Sequence, residues 1–329
     1  MKILVDAFGG DNSPISVIKG SILAKNEWPD LDIALCGNED ELLKISMRHG
    51  FNIKKLEIVN AKDQISMEQN PSTIFESKSE SSMAVGLKML KNDQADAFVS
   101  AGNTGALAVG ASLFVGKIDG VRRAALAPIL PTTNGRCLLI DGGANLECRP
   151  KILRQFAIMG SIYAKRILVV SNPQVGLLNI GAEKNKGPAL LQEAYNLLNC
   201  CDEINFIGNI ESRNVVLGGC DVLVSDGFSG NIILKTMEGT AKFFSNELKN
   251  LFNRNNFTKL AYMLLHKELK KFKKEMNYTN YGGAVFLGIK KPIIKAHGSS
   301  NSIAIKNAIS QAMLCVEQKI IDEISSKLV

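Results

Sequence analysis

Three histidines, no cysteines at Cys-x-x-Cys spacing and no apolar run of membrane-spanning length set the first limits on this 329-residue chain. The cysteines at 36, 137, 148, 200, 201, 220 and 315 are odd in number and scattered. Neither a disulfide framework nor a metal site is therefore expected, and most of them read as small buried hydrophobes. A membrane-crossing helix needs about 20 apolar residues. The run that opens at Met1 meets Asp6 too early for a signal peptide. A cytoplasmic protein is expected, with any membrane contact made from the surface. The chain has no G-x-x-x-x-G-K-[ST] loop and no G-x-G-x-x-G fingerprint, so ATP and nicotinamide chemistry are not advertised. Gly227-Phe228-Ser229-Gly230 misses the G-x-S-x-G spacing of a nucleophile elbow, which argues against an acyl-serine. No cofactor and no nucleic-acid partner are expected.

What is present is an ordinary globular balance, 46% apolar and 22% charged. Short β-branched runs alternate with segments of helical period, the pattern of βα units around a largely parallel sheet. Strands are expected near 2–6, 32–36, 56–60, 96–100, 124–130, 136–141, 166–170, 175–180, 221–225, 284–288 and 293–297. The link at 131–135 is too short for a crossover helix, so its two strands should form an antiparallel hairpin and the sheet should be mixed. Ser13 before Pro14 predicts a capped helix start, and Lys186-Gly187-Pro188 predicts another. With no repeat and no long linker, residues 1–329 read as one catalytic α/β domain, a three-layer α/β/α fold with a helical excursion at 240–280.

In open α/β sheets, ligands bind beyond the carboxyl ends of strands. The unusual loops of this chain fall there: Gly9, Gly10 and Asp11 after the first strand, which ends at Asp6; Asn103, Thr104 and Gly105; Gly142 to Asn145; Asp226, Ser229, Gly230 and Asn231; and His297, Ser299 and Ser300. Glycine lets the backbone approach a ligand, and free N–H groups at helix starts favour an anion. Any one such loop is what a tight turn would use anyway, but five at strand ends favour a shared phosphate-handling site. Lys184, between Asn179 and Gly187, is a cationic candidate for that site, although a pair of solvated loop lysines, with Lys186, is the ordinary alternative. His297 is the one histidine in a Gly/Ser loop; a hydrogen-bonded structural role competes closely with a catalytic one.

These strings resemble the PlsX family of phosphate acyltransferases along the whole chain. The matching stretches are VDAFGGD at 5–11, SAGNTGAL at 100–107, DGGAN at 141–145, NIGAEKNKG at 179–187, SDGFSGN at 225–231, YGGAVFLG at 281–288 and HGSS at 297–300. Phe8, Gly142, Ala182, Val285 and Phe286 depart from the family's usual residues. The resemblance implies an isocitrate dehydrogenase/phosphotransacetylase-like fold, a homodimer, acyl carrier protein as donor and inorganic phosphate as acceptor. It also implies an acyl phosphate product for a membrane glycerol-3-phosphate acyltransferase in phospholipid synthesis. A coenzyme A-dependent phosphotransacetylase is the nearest rival, and a non-enzymatic membrane adaptor a more distant one.

On that reading the loops at 103–105 and 229–231 hold phosphate, Lys184 neutralises it, Asn231 or backbone N–H groups stabilise the oxyanion, and His297 protonates the leaving thiolate or orients a loop. Asn145 and Asn179 are further substrate-binding candidates. Between Arg254 and Glu275, seven cationic residues face two glutamates. Phe257, Leu260, Ala261, Leu264, Leu265, Leu269, Phe272 and Met276 recur there at three and four, an apolar helix stripe. Core or dimer packing explains the stripe; a membrane or carrier-protein contact through Leu260, Leu264, Lys267, Lys270 and Lys271 explains the lysines as well.

Overall fold

A computed structural model describes residues 1–133, 135–275 and 282–328, with side chains described up to residue 270 and again from 282. Asn134 of the expected hairpin turn, Met276 of the apolar stripe, Tyr281 of the YGGAVFLG string, and the side chains of Lys271 and Phe272 lie outside the described residues. Twelve strands are present among those described: β1 (Lys2–Asp6), β2 (Asp32–Gly37), β3 (Glu57–Asn60), β4 (Ala97–Ser100), β5 (Ala125–Ala127), β6 (Ile129–Thr132), β7 (Gly135–Ile140), β8 (Gln174–Asn179), β9 (Asn205–Glu211), β10 (Val222–Val224), β11 (Ala284–Leu287) and β12 (Ile293–Lys295).

They form two mixed sheets, ordered β3-β2-β1-β4-β12-β11-β5 and β6-β7-β10-β8-β9. Pairing is parallel except at β11–β12, β11–β5 and the expected hairpin β6–β7. The run 124–130, read as one strand, is divided by Pro128, which separates β5 from β6 and hands the chain from one sheet to the other. Helices flank both sheets, the three-layer arrangement expected. Interior strands are apolar on both faces, as parallel sheets covered by helices require. One continuous core joins Ile3, Val5 and Val99 of the first sheet to Leu138, Val175 and Val222 of the second.

Three local expectations fail for physical reasons. Residues 166–170 are not a strand. The helix Pro150–Arg166 runs on until the Ile167 and Val170 N–H groups close its end on Tyr163 and Ala164, and Val169 projects into solvent with φ of 60°. β9 was missed because Gly208 and Asn209 look like a turn, whereas they sit in an edge strand with a register irregularity, Gly208 at φ 100°. Ser13 does not cap the first helix; its hydroxyl turns back to the Gly10 carbonyl, and Pro14 occupies the cap position ahead of Ile15–Glu27. Pro188 does open Ala189–Asn199 as expected. All cysteines but Cys200 are buried, in keeping with their reading as hydrophobes.

The excursion is a helical hairpin, Gly227–Asn253 followed by Asn256–Glu275. Its first arm does not begin at 240: it starts at Asp226 in the loop after β10 and runs unbroken outward.

Candidate active site

The first sheet ends in a polar row. Ser100 pairs in register with Lys295, and Asp6 extends the row one residue past the Val5–Val99 pair. Neighbouring residues of parallel strands share a face, so these three side chains line up. Asp6 is buried and accepts 2.6 Å bonds from the Ser82 and Ser100 hydroxyls. Burial drives its carboxyl upward, against the pull of those hydroxyls, the Phe8 N–H and Lys295. Gly9 packs onto this row so tightly that a Cβ would lie 2.6 Å from both the Asp6 carboxylate and the Gly102 nitrogen.

The loops beyond the row are tied to one another. Asp11 N–H donates to the Gly298 carbonyl at 2.8 Å, and Asn12 donates to the Ser299 carbonyl at 3.0 Å. Gly10, at φ 97°, would place a Cβ 2.8 Å from the Gly298 oxygen. Asn103 caps the helix Thr104–Gly110 through the Ala106 N–H, and its amide donates to the Met67 and Gln69 carbonyls. Those donors are therefore spent on the 66–69 loop. Gly105 lets that helix pack on Pro71, where a Cβ would come within 2.5 Å.

The second sheet contributes a loop organised around Asp141, which is fully buried. Its carboxylate accepts N–H groups of Leu126, Gly143, Ala144 and Asn145 and the Asn145 amide. Burial raises its pKa and these donors hold it back. Asn145 thus serves as scaffold, its amide also reaching the Ala124 carbonyl. Asp226 caps Gly227–Asn253 by accepting the Ser229 N–H at 2.7 Å and its hydroxyl at 3.2 Å. Gly230 presses against the Asp141 carbonyl, and Asn231 lies over Gly143.

Along that helix Asn231, Lys235 and Glu238 recur at four and three, so they share one face. From Asn231 to Glu238 this face covers roughly 10 Å at 1.5 Å per residue. It carries the second sheet's loops across to the first. Glu238 accepts from Lys235 at 2.8 Å and stands 3.8 Å from His297 Nε2. Burial raises the Glu238 carboxyl, but bonding to His297 and Lys235 outweighs this and leaves it below its ordinary value. His297 Nδ1 accepts the Ser299 N–H at 3.2 Å and lies 2.8 Å from its hydroxyl, which leaves Nε2 to bear the proton toward Glu238.

Sequence-predicted residues thus divide. Asp6, Gly9, Gly10, Asp11, His297 and Ser299 gather at the first-sheet end of the helix face, and Asn231 lies at its other end over Gly143. Asn103, Asn145, Asp226 and Ser229 shape those loops. Asn179 is engaged within its own loop, with the Lys186 carbonyl and the Ile180 N–H. Lys184 is exposed, its amine 5.8 Å from the Tyr195 ring centroid, and this contact is with Ala189–Asn199 rather than with the loops after β1, β4 or β12. Lys235, Glu238 and Lys295 were missed. A lysine ending the apolar strand Ile293-Ile294-Lys295, and charges at i and i+3 one helical turn beyond the Asn231 loop, were the signals available.

A family model described as "Fatty acid synthesis protein" matches residues 1–323. A phosphate acyltransferase of Thermoanaerobacterium thermosaccharolyticum is 48% identical over 328 residues, covering 100% of this chain and 97% of the relative. One of Clostridium novyi is also 48% identical, covering 100% and 98%. Among solved structures, a phosphotransacetylase from Streptococcus pyogenes aligns with a TM-score of 0.64 at 15% identity over 98% of this chain and 94% of its own. The EutD phosphotransacetylase of Staphylococcus aureus gives 0.60 at 13% identity over 97% and 94%. At those identities the structures speak for the fold alone. The agreement of family model and relatives along the chain is what identifies it: this protein belongs to the PlsX family and is an enzyme, a phosphate acyltransferase.

Proposed function

We propose that the enzyme moves a long-chain fatty acyl group from acyl carrier protein to inorganic phosphate, yielding an acyl phosphate for phospholipid synthesis. The observation that carries this reading is the meeting of two sets of strand-end loops under the Asn231–Lys235–Glu238 face, which brings cations and donors together without an activated serine or cysteine. A phosphate oxygen forms a bond to the thioester carbon, and the C–S bond breaks with its electron pair leaving on sulfur. The proton of hydrogenphosphate ends on the carrier thiol. A phosphoryl group is largely ionised at neutral pH, and a cysteine-like thiol with a pKa of about 8.5 leaves readily. Such a reaction asks for positioning and oxyanion stabilisation more than for a nucleophilic side chain. On this reading His297 meets the departing sulfur and Asn231 donates to the oxyanion.

The choice of acyl carrier protein over coenzyme A is supported by the basic hairpin, which suits an acidic partner. Its apolar side chains suit a membrane surface as well: Phe243, Phe244, Phe257, Leu260, Met263 and Leu264 are exposed beside Lys267 and Lys270. Among the described residues no helix is long and apolar enough to cross a membrane. A cytoplasmic homodimer that rests on the inner membrane face and passes its product to a membrane glycerol-3-phosphate acyltransferase fits both features. Incubation with palmitoyl-acyl carrier protein and phosphate tests the reaction. Phosphate-dependent release of carrier thiol with hydroxylamine-reactive product supports it; turnover with acetyl coenzyme A alone would assign the coenzyme A reading.

A further inference from the structure

Lys295 is 7% exposed, and among the described residues its ammonium donates only to backbone, at the Ala101 carbonyl (3.2 Å) and the Ala296 carbonyl. Among the described residues it forms no ion pair. The carboxylate in its row, Asp6, is occupied by two serine hydroxyls. An ammonium taken out of water, hydrogen-bonded only to carbonyls and not directly paired with the carboxylates near it, is costly, and a ligand anion would supply the missing partner. Burial lowers the Lys295 pKa to about 8, with Lys235 pushing the same way and Asp6, Asp11 and Glu238 opposing. Two ammonium groups thus stand within electrostatic reach, and among the described residues the one carboxylate bonded to either of them, Glu238, is shared between Lys235 and His297. In the same strand-end loop the Ser300 hydroxyl is buried without a hydrogen-bond partner among the described residues.

We propose that this cluster is the seat of a phosphoryl dianion, the inorganic phosphate that attacks the thioester, with Lys295 as its floor and Lys235 and His297 at its rim. The assignment rests on the acyl-transfer reading and moves the phosphate from Lys184 to the far end of the Asn231–Glu238 face. A dianion between the two lysines supplies the charge that Lys295 lacks and relieves their repulsion. Asn231, on the same face nearer the second sheet, is then free to serve the carbonyl side of the reaction. The side chains at the rim remain open, Lys235 at 56% and His297 at 33% exposure, so phosphate enters past them. The phosphate of the donor's pantetheine arm shares this chemistry and is the competing occupant.

The test uses the full-length protein, inorganic phosphate as probe, and Lys295→Met, Lys295→Arg and Lys235→Met. Phosphate is expected to raise the melting temperature of the wild type and Lys295→Arg but not of Lys295→Met. Lys235→Met, at an exposed position that leaves the fold intact, should raise the phosphate KM roughly tenfold, about the worth of one charge-assisted bond, while the acyl-donor KM changes less than about twofold. Equal stabilisation of wild type and Lys295→Met, together with an unchanged phosphate KM in Lys235→Met, would overturn the site. A rise confined to the KM of the carrier-protein donor would assign the cluster to the pantetheine phosphate and also overturn it. A wild type showing no phosphate-dependent thiol release would instead remove the acyl-transfer reading, whatever the variants do.

Discussion

Glu238 Oε1 stands 3.8 Å from His297 Nε2 while its other oxygen holds Lys235 at 2.8 Å. One carboxylate on a helix that starts in the second sheet therefore steers a histidine from the first. Its carboxyl is held below the ordinary range, so it is ionised throughout neutral pH. Glu238→Gln keeps the shape but loses the charge, and the imidazole loses the group that fixes its Nε2–H. We expect kcat to fall at least about tenfold at saturating phosphate, the lower end for disturbed orientation around a catalytic histidine. The melting temperature should move little. Steady-state kinetics check this, and an unchanged kcat would mean that Glu238 does not position His297.

The pH dependence of phosphate use should report Lys295. Its pKa in the folded enzyme is about 8, against 10.5 ordinarily, because burial disfavours its charge. Below about pH 8 the ammonium is present; above it the proton is lost and phosphate affinity should fall. The phosphate KM is expected to climb with alkaline pH in the wild type and to climb less in Lys295→Arg, whose guanidinium stays charged. For stability the sign is opposite. The unfolded chain holds this proton up to about pH 10.5, so the cost of burying the charge is full below pH 8 and fades between 8 and 10.5. Denaturant titrations of wild type and Lys295→Met across that window should converge as pH rises.

Gly230 marks a contact that no side chain tolerates: a Cβ there would lie 1.9 Å from the Asp141 carbonyl oxygen and 2.7 Å from Ser225 Oγ. Backbone must move to admit Gly230→Ala, at a cost at the upper end of the about 1–3 kcal/mol typical of overpacking. Because the shift begins at the foot of the helix carrying Asn231, Lys235 and Glu238, activity should fall with stability. Thermal unfolding and turnover measured on the same preparation check both. A fully stable, active variant would contradict the packing described.

Local chemistry made the strand-end loops, the β6–β7 hairpin and the amphipathic hairpin legible, since turn residues and period are properties of neighbours in sequence. The site centre was less legible because it depends on register between strands far apart in the chain. Lys295 becomes notable only when β12 lies beside β4, with Ser100 opposite and Asp6 one strand further. Taken alone it is one lysine after two isoleucines. Lys184 shows the converse: its Gly/Asn-rich flanks suggested a ligand loop, and packing of Ala189–Asn199 holds its amine over Tyr195. At 166–170 β-branched residues indicated a strand, but Ile167 to Val170 form the turn that closes the end of the preceding helix.

The hairpin tests the membrane reading separately from the chemistry. Leu264 is 79% and Phe257 86% exposed, so neither contributes appreciably to the core. Leu264→Glu and Phe257→Glu should leave folding stability within about 0.5 kcal/mol, as exposed substitutions generally do. If the apolar stripe enters the interface, each should sharply reduce co-sedimentation with anionic vesicles while turnover of soluble acyl-carrier donor persists. If Lys267 and Lys270 dock the acidic carrier instead, Lys267→Glu with Lys270→Glu should raise the donor KM and make it less sensitive to salt, whereas the two apolar-to-Glu variants should leave it unchanged. Vesicle binding that survives Leu264→Glu would exclude insertion of this stripe. A donor KM that ignores the double lysine substitution would exclude the carrier from this face, leaving contact with a second copy, which sedimentation of the same variants would show as a change in mass.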